Sequence, residues 1–168
     1  MSNRRNFIQQ SLLGATGAAL LPILGNATST IQLSNPINVA PLRIGIAGYT
    51  FAKFSLEQSI TMMKRVGLTN LSLKEIHLPL NSTDEQINAA MAKFKDAGIN
   101  VYTVGVIYMK TKEAVDAAFA YAKKVGVDMI VGVPSYDLIA YSEQKVKEYN
   151  IRLAIHNHGP EDALYPAP

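Results

Sequence analysis

The 168-residue sequence contains no cysteine. Disulfide bonds, thiolate metal sites and cysteine nucleophiles are therefore excluded. Charged side chains are also scarce, at 17% of residues, whereas 48% of residues are hydrophobic. This balance is typical of a chain that builds a hydrophobic core and not of a disordered one, and the length suits one ordinary domain.

A strong net charge of either sign is absent as well. The 16 basic and 13 acidic residues give a net charge of +3. Arg4 and Arg5 are the only charged residues among the first 27, so 14 basic residues stand against 13 acidic ones in the remainder. Nucleic-acid binding requires clustered Lys and Arg, which a nearly neutral body does not supply. We therefore expect no nucleic-acid partner.

The N-terminus has the pattern of an export leader. Arg4 and Arg5 precede an uncharged stretch over residues 11–24, and the small residue Ala27 follows. A positive start, an apolar centre and a small-residue cleavage site predict a signal peptide over residues 1–27. The paired arginines indicate the twin-arginine route, so we expect an exported, periplasmic protein.

The apolar part of this leader is too short for a stable membrane span, and glycine and proline interrupt it. Residues 28–41 are rich in Thr, Ser, Asn and Pro and predict a linker. The fold itself is expected over residues 42–168.

A repeated junction organises this fold. In four places a helical pattern ends at a residue that tolerates the left-handed conformation, and a β-rich run follows; these residues are Gly67, Gly98, Gly126 and Asn150. The intervals of 31, 28 and 24 residues between them match one helix, one strand and two short loops. The repeat predicts parallel β/α units.

The units are bounded by recognisable signals. Apolar runs predict strands over residues 42–47, 71–78, 101–109, 129–133 and 152–156. Ser55 with Gln58 and Thr83 with Gln86 form capping boxes that start the first two helices, and Val115 to Val125 and residues 142–149 mark the third and fourth. The first helix is expected to bury one face, formed by Leu56, Ile60, Met63 and Val66.

Two α/β architectures fit such units: a (β/α)₈ TIM barrel, truncated here after the fifth strand, and an open doubly wound sheet. The first strand is not followed by G-x-G-x-x-G, so a dinucleotide fold loses its main support. In the barrel reading the chain is an N-terminal fragment. Its two open edges predict self-association and no activity by itself.

Both architectures bind ligands beyond the carboxyl ends of the strands, and the polar residues there are the candidates for function. Lys74 offers a cation for a substrate oxygen or a carboxylate, although a solvated or interhelical lysine fits equally. Glu75 and His77 share a face if the second strand is extended, and we assign Lys74, Glu75 and His77 as catalytic candidates. Glu75 serves only to neutralise Lys74 in the simpler alternative.

Aromatic residues at the strand ends provide candidate walls for a sugar ring. Tyr49 and Phe51 follow the first strand, and Tyr108 lies at the end of the third. We assign these three as substrate-binding candidates, with packing in the core as the alternative for Tyr49 and Phe51.

A His-x-His pair ends the fifth strand. His156 and His158 point to the same side of an extended backbone, and Glu161 or Asp162 follows closely. Imidazole and carboxylate ligands suit a divalent metal, so we assign His156, His158 and Glu161 as candidate metal ligands. In the simpler alternative, Glu161 or Asp162 only caps the next helix.

Three of these segments together resemble one family: residues 45–51, residues 74–80 and residues 154–162. They are similar to the xylose-isomerase-like TIM barrels, a family of sugar phosphate isomerases and epimerases, and most closely to its exported branch with twin-arginine leaders. The resemblance runs from about residue 42 to the end, and its most specific part is the fifth-strand segment. It implies a (β/α)₈ barrel with a divalent metal at its C-terminal rim.

The family holds its metal (Mn, Co, Mg or Zn) with Glu, Asp, His and Glu at strand ends, and His156 stands at the position of the first of these. The resemblance implies metal-assisted proton abstraction next to the carbonyl of a small carbohydrate. Two alternatives stay open: a keto-sugar or inosose lyase on the same barrel, and a non-catalytic exported carbohydrate-binding protein. A related endonuclease is disfavoured by the near-neutral charge. Homo-oligomerisation is left open.

Overall fold

The computed structural model describes residues 42–167. The leader predicted over residues 1–27 and the linker predicted over residues 28–41 lie outside the described residues. Across residues 42–167, no helix is both long enough and apolar enough to cross a lipid bilayer.

Strands and helices alternate along the described chain. Their order is β1 (Ile46–Ala47), α1 (Leu56–Val66), β2 (Asn70–Leu73), α2 (Asp84–Asp96), β3 (Asn100–Met109), α3 (Lys112–Val125), β4 (Met129–Pro134), α4 (Ile139–Tyr149) and β5 (Arg152–Ile155). Two short 3₁₀ helices follow strands, at Gly48–Phe51 and Tyr136–Leu138. The predicted β/α repeat is confirmed.

The sheet is parallel and its strands are ordered as in the sequence, β1-β2-β3-β4-β5. A doubly wound sheet reverses direction partway and produces a non-sequential order, whereas a barrel adds each strand beside the one before it. The sequential order therefore selects the TIM-barrel architecture from the two that the sequence allows.

The four junction residues adopt the predicted conformation. Their φ angles are +69° at Gly67, +71° at Gly98, +83° at Gly126 and +53° at Asn150. Each ends a helix by turning the chain back toward the sheet, which satisfies terminal carbonyl groups that the helix leaves free.

Both predicted capping boxes are formed. The Ser55 hydroxyl accepts from the Gln58 backbone N–H while the Gln58 side chain accepts from the Ser55 N–H. The same reciprocal pair joins Thr83 and Gln86. These bonds fix where α1 and α2 begin.

The core lies between the sheet and the helices. It contains Met63 of α1, the α2 residues Ile87 and Phe94, strand residues such as Val104 and Ile130, and the whole predicted face of α3, namely Val115, Ala118, Phe119, Ala122 and Val125. The helices thus bury the apolar stripes that their 3.6-residue period predicts.

Three strands are shorter than predicted, and the fifth differs by one residue only, because it ends at Ile155 and not at residue 156. The first strand was expected over residues 42–47, but only Ile46 and Ala47 pair with β2. Before them, the Asn70 side-chain N–H₂ donates to the Ile44 carbonyl, so a side chain replaces the backbone ladder there. The second strand ends at Leu73 because the Lys74 carbonyl accepts from the N–H groups of His77 and Leu78 and closes a turn.

That turn overturns the expectation that Glu75 and His77 share a strand face, since the alternation holds only in extended backbone. The expected burial of Val66 is wrong as well. Val66 is the last residue of α1 and is 61% exposed, whereas Met63 is fully buried and Leu56 and Ile60 pack partly against the core.

Candidate functional site

Lys74 leaves the end of β2 and turns inward. Its side chain is 5% exposed, and its ammonium donates to the Ser72 hydroxyl (3.1 Å) and to the Gly105 carbonyl on β3. The Tyr49 ring lies over it, with Nζ 4.9 Å from the ring centroid. Burial lowers the pKa of Lys74, because the charged form loses its hydration. The alternative of a solvated lysine is excluded.

A cleft of about 440 Å³ opens at the same strand ends. Three predicted residues, Tyr49, Glu75 and Tyr108, line it together with apolar side chains of Ile76, Leu80, Val106 and Ile107. Burial raises the pKa of the Glu75 carboxyl above its usual range. The cleft therefore combines two aromatic walls with a carboxyl group whose pKa is shifted toward neutrality.

The histidine pair lies at the end of β5. The His156 N–H donates to the Gly132 carbonyl (3.0 Å), so the backbone hydrogen bonding between β5 and β4 continues as far as His156. The rings of His156 and His158 meet edge to face, with centroids 4.5 Å apart. The pKa of His156 is lowered, first by burial, then by the charge of His158 and then by that of Lys74.

Asp162 connects the histidines to the cleft. Its Oδ2 accepts from the Tyr108 hydroxyl at 2.7 Å and lies 3.0 Å from His158 Nδ1. Tyr108 also stacks on the His158 ring, with centroids 5.8 Å apart and planes inclined by 6°. We call Tyr108, His156, His158 and Asp162 the rim cluster. Tyr108 belongs both to the rim cluster and to the cleft.

The loop after β5 is tied back to the sheet by Tyr165. The His158 N–H donates to the Tyr165 carbonyl (2.9 Å), and the Tyr165 hydroxyl donates to the Pro134 carbonyl at the end of β4 (2.9 Å). The Tyr165 N–H also donates to the Tyr136 hydroxyl at 2.9 Å. These bonds hold the loop that carries His158 and Asp162 against the strand ends.

The carboxylate of Glu161 lies over Gly159. The Asp162 N–H donates to the Gly159 carbonyl (3.0 Å) and closes a turn, and a Cβ at Gly159 would collide with the Glu161 carboxylate. The same turn brings Asp162 to His158. The structure therefore pairs the histidines with Asp162, the second of the two acidic residues that the sequence offered.

The resemblance implies a metal site at this rim, and His156 and His158 are its candidate nitrogen ligands. Asp162 Oδ2 lies 3.0 Å from His158 Nδ1. However, no three His, Asp or Glu side chains within residues 42–167 are grouped closely enough to hold an ion. The described residues fit two ligands of such a site and not a complete one.

Two other predicted residues are placed away from the cleft. Phe51 is 5% exposed and packs in the core, which was the alternative for this residue. His77 Nε2 lies 3.1 Å from the Phe51 carbonyl and 3.2 Å from the Ser59 hydroxyl, beside a separate groove between α1 and α2. Because Ser59 uses its own proton on the Ser55 carbonyl, Nε2 carries the proton, and His77 bridges the 3₁₀ helix after β1 to α1.

Sequence reasoning missed three residues that shape the site. Ser72 and Gly105 accept the Lys74 ammonium, although neither stands at a strand end in the sequence. No local signal marks them, because the pairing depends on the register between β2 and β3, which shifts within that part of the sheet. Tyr165 was also missed, and it falls in a loop without periodicity.

No family model matches the chain, and no curated protein matches it. Solved structures do. An uncharacterized protein from Parabacteroides distasonis ATCC 8503 is 26% identical with a TM-score of 0.63, over 69% of this chain and 53% of that one. A xylose isomerase domain containing protein from Salmonella typhimurium LT2 is 17% identical with a TM-score of 0.52, over 70% and 50% of the two chains.

A fusion protein of a xylose isomerase-like TIM barrel with a 4-hydroxyphenylpyruvate dioxygenase is also similar, at 14% identity and a TM-score of 0.52, over 69% of this chain and 22% of that one. The chain spans about half the length of the first two structures. These similarities agree with the sequential parallel sheet, and the fold of residues 42–167 is that of about half a TIM barrel.

Proposed function

We propose, starting from this barrel fold, that the protein is a sugar isomerase or epimerase that removes a proton next to a carbonyl group. The observation that supports this most directly is the cleft at the strand ends, where Glu75 faces two tyrosines and Tyr108 leads to the histidine pair. A small carbohydrate, free or phosphorylated, is the proposed substrate class.

Glu75 is the proposed general base. Its raised pKa brings it closer to the working pH, where proton transfer in both directions is efficient. The carboxylate takes the proton from the carbon next to the carbonyl, and the electron pair of that C–H bond forms the enediolate. In isomerisation the proton returns to the neighbouring carbon while the proton of the substrate hydroxyl passes to the former carbonyl oxygen. In epimerisation a proton from water is delivered to the opposite face of the same carbon. The Tyr49 and Tyr108 rings provide flat surfaces for the sugar.

Lys74 acts from below the cleft. Its ammonium lies under the Tyr49 ring and is held by Ser72 and Gly105. A cation at this place favours the negative charge that develops on the enediolate oxygen, and it acts through space because the lysine is not exposed to the cleft.

His156 and His158 are the proposed contribution of the described residues to a divalent-metal site. When bound, the ion supplies Lewis-acid polarisation of the substrate carbonyl. Mn, Co, Mg and Zn are the proposed ions; imidazole ligands suit Zn and Co, whereas carboxylate oxygen suits Mn and Mg. The metal-ligand role of Glu161 and the catalytic role of His77 stay predictions, as does the substrate-binding role of Phe51, because these side chains lie outside the cleft and the rim cluster.

Export through the twin-arginine route is part of the proposal and concerns residues outside the described ones. A reporter fused after residue 41 should reach the periplasm, and Arg4→Lys with Arg5→Lys together should retain it in the cytoplasm. Periplasmic reporter activity that survives this double substitution would contradict the route.

The activity is tested on the whole protein with a divalent ion added. Ketoses and their phosphates are incubated in deuterated water and followed by NMR for incorporation of deuterium next to the carbonyl. Exchange together with a new isomer supports the proposal. Glu75→Gln should lower the turnover number by about 10²–10⁴-fold, whereas the matched control Glu143→Gln, on the exposed face of α4, should leave it unchanged.

Other outcomes contradict the proposal in distinct ways. A product that has lost water would indicate the lyase, in which β-elimination replaces reprotonation. Sugar binding that persists with a chelator and without exchange would indicate the carbohydrate-binding protein. Equal turnover in Glu75→Gln and Glu143→Gln would remove Glu75 from the mechanism.

A further inference from the structure

The chain after β5 forms a short closed loop over residues 158–165. The His158 N–H donates to the Tyr165 carbonyl at 2.9 Å, so the two ends of the loop meet. Within the loop, the Asp162 N–H donates to the Gly159 carbonyl at 3.0 Å. We call residues 158–165 the β5 loop. Because its ends are joined and it bonds to itself, it is a compact unit and not an open connection.

Tyrosines anchor the β5 loop to the ends of β3 and β4. The Tyr165 hydroxyl donates to the Pro134 carbonyl, and the Tyr165 N–H donates to the Tyr136 hydroxyl in the 3₁₀ helix after β4, both at 2.9 Å. The rings of Tyr165 and Tyr136 also pack together, with centroids 4.8 Å apart. On the side of β3, the Tyr108 hydroxyl donates to Asp162 Oδ2 at 2.7 Å. Two of these three hydrogen bonds depend on Tyr165.

Tyr165 makes its bonds from a backbone conformation that tyrosine rarely adopts. Its φ angle is +56°, and the only other non-glycine residue with a positive φ in the described part of the chain is Asn150, which ends α4. A bulky side chain carries a conformational cost in this region, whereas glycine does not. Such a residue persists only where its surroundings hold it in place. The contacts that offset the cost here are those of the Tyr165 hydroxyl and ring.

We propose that Tyr165 is a positioning residue whose hydroxyl and ring hold the β5 loop against β4 and thereby place Tyr108 in the wall of the cleft. The link runs through Asp162, which the loop carries and which accepts from the Tyr108 hydroxyl. Only the use of Tyr108 as a wall for a substrate rests on the proposed function. The placement of the loop is a property of the protein without ligand, so it can be measured even if the proposed activity is not found.

The first test is native-state amide hydrogen exchange of the whole protein, followed by NMR at the His158 N–H, which donates to the Tyr165 carbonyl. Tyr165→Phe keeps the ring and removes only the bond to Pro134. The His158 amide should exchange about 3–10-fold faster in this variant, as expected for the loss of one ordinary hydrogen bond. Amides between β3 and β4 should exchange as before. Tyr102→Phe, near the start of β3, is the matched control and should change neither.

An asparagine variant separates the side chain from the backbone. Asparagine tolerates the left-handed conformation, so Tyr165→Asn relieves the conformational cost and keeps the backbone N–H and carbonyl. If the turn of the backbone were all that mattered, the His158 amide would exchange as slowly in this variant as in the unmodified protein. We expect faster exchange than in Tyr165→Phe, because the packing on Tyr136 is lost as well.

The second readout is the Tyr108 ring, which stacks on the His158 ring with centroids 5.8 Å apart. Nuclear Overhauser contacts between these two rings should weaken in both Tyr165 variants and stay unchanged in Tyr102→Phe. With a sugar that the protein turns over, Tyr165→Phe should raise KM and leave kcat nearly unchanged, because a wall that binds substrate and transition state equally contributes uniform binding.

Unchanged exchange at His158 in both Tyr165 variants would overturn the proposal. Faster exchange with unaltered ring contacts would also overturn it, because the β5 loop would then move without displacing Tyr108. An equal increase at all amides would indicate a general loss of stability and would exclude a positioning role. Absence of isomerase activity would contradict the proposed function alone, since the exchange and the ring contacts are measured without substrate.

Discussion

Tyr108 is the residue on which the candidate site depends most. Its ring lines the cleft and stacks on His158, and its hydroxyl reaches Asp162. It lies near the end of the longest strand of the described sheet, so its backbone position is fixed by pairing with β4. A change at this one side chain therefore reaches both the cleft and the histidine pair.

The titration of Tyr108 measures its bond to Asp162. The pKa of Tyr108 is raised, first by the hydrogen bond to the Asp162 carboxylate, because ionisation would place a second negative charge beside the first. Asp162→Asn should move that pKa down toward its ordinary value of 10.0. NMR of ring-labelled tyrosine checks this across alkaline pH.

Tyr141 supplies the internal control, because its pKa is raised by Asp116 on α3 and not by Asp162. Its titration should be the same in Asp162→Asn and in the unmodified protein. If Tyr108 also titrates unchanged, the hydrogen bond to Asp162 is absent in solution.

The glycine positions differ in how well they tolerate a larger side chain. At Gly67 and Gly126 the backbone is left-handed but an added Cβ meets nothing within 4 Å, so alanine carries only the conformational cost of about 1–2 kcal/mol. At Gly105 φ is +109° and a Cβ would collide with the Val131 carbonyl of the neighbouring strand. Gly105→Ala should therefore destabilise the protein by more than either of the others.

Urea denaturation of the three alanine variants measures the difference in free energy of unfolding. Similar losses at all three positions would mean that β3 and β4 separate at no cost to admit the methyl group. Gly105 also accepts the Lys74 ammonium, so a large loss there would link the packing of the sheet to the placement of the lysine.

At the scale of elements, the beginnings of α1 and α2 were readable from the sequence because capping is local, whereas α4 has no side-chain cap and begins at Ile139, before the predicted residue 142. Ser55 and Thr83 cap through residues three positions away, and the structure forms both boxes. The ends of helices were readable for the same reason, through Gly67, Gly98, Gly126 and Asn150. The end of β2 was not, because the turn at Lys74 has no glycine or proline to mark it.

Removing a cap should cost a predictable amount. Ser55→Ala and Thr83→Ala each lose the side-chain acceptor of a capping box, and we expect a loss of about 1 kcal/mol in the free energy of unfolding at each. Thr61→Ala is the matched control, since Thr61 lies within α1, is exposed and only bonds back to the Glu57 carbonyl.

Alanine is the better helix former at position 61, so that variant should be neutral or slightly more stable. Chemical denaturation monitored by circular dichroism compares the three. If Thr61→Ala lowered the free energy of unfolding as much as the cap variants do, the hydroxyl groups of α1 would stabilise the helix irrespective of their position.

Acid should weaken the contact between α1 and α2. The Lys93 ammonium lies 2.6 Å from Glu57 and lowers the pKa of that carboxyl from 4.5 to about 2, with help from the Glu57 backbone and Ser55. A carboxyl whose pKa is lower in the folded state adds stability above its ordinary pKa and loses it as the pH falls through the folded value. The window of loss is therefore pH 4.5 down to about 2.

Glu57→Gln removes this contribution, so its stability should fall less steeply than that of the unmodified protein across that window. The difference is small because both side chains are exposed, and it should shrink further in added salt. Denaturation at a series of pH values measures it. Parallel curves for the two proteins would exclude the pair as a source of acid sensitivity.

At the scale of the whole molecule, the sheet has two edges. Within residues 42–167, β1 bonds only to β2 and β5 bonds only to β4, and Ile155 on β5 is 45% exposed. Unpaired strand edges with apolar side chains promote pairing between molecules. Residues 28–168 by themselves should therefore self-associate, as sedimentation velocity would show.

Ile155→Lys should reduce that association, because a charged side chain at an edge disfavours pairing. Ile139→Lys is the matched control on α4, where the isoleucine is 46% exposed but no strand edge is present. A monomer that melts cooperatively would contradict the importance of the edges, and equal effects of both variants would assign association to apolar surface in general.

The site residues that lie at strand ends could be predicted from the sequence. Tyr49, Tyr108 and His156 are brought to one rim because parallel strands end together. The choice of Asp162 over Glu161 depends on the turn at Gly159, and the burial of Lys74 depends on the register between β2 and β3. Such long-range geometry leaves no periodic mark in the sequence.

The sequential order of the strands affects how the sheet can form while the ribosome synthesises the chain. Each strand from β2 onward pairs with the one synthesised just before it, so no strand has to wait for a distant partner to emerge. The sheet can grow one β/α unit at a time in the direction of translation. The growing edge is then always the newest strand, and the histidine pair reaches the rim when β5 joins β4.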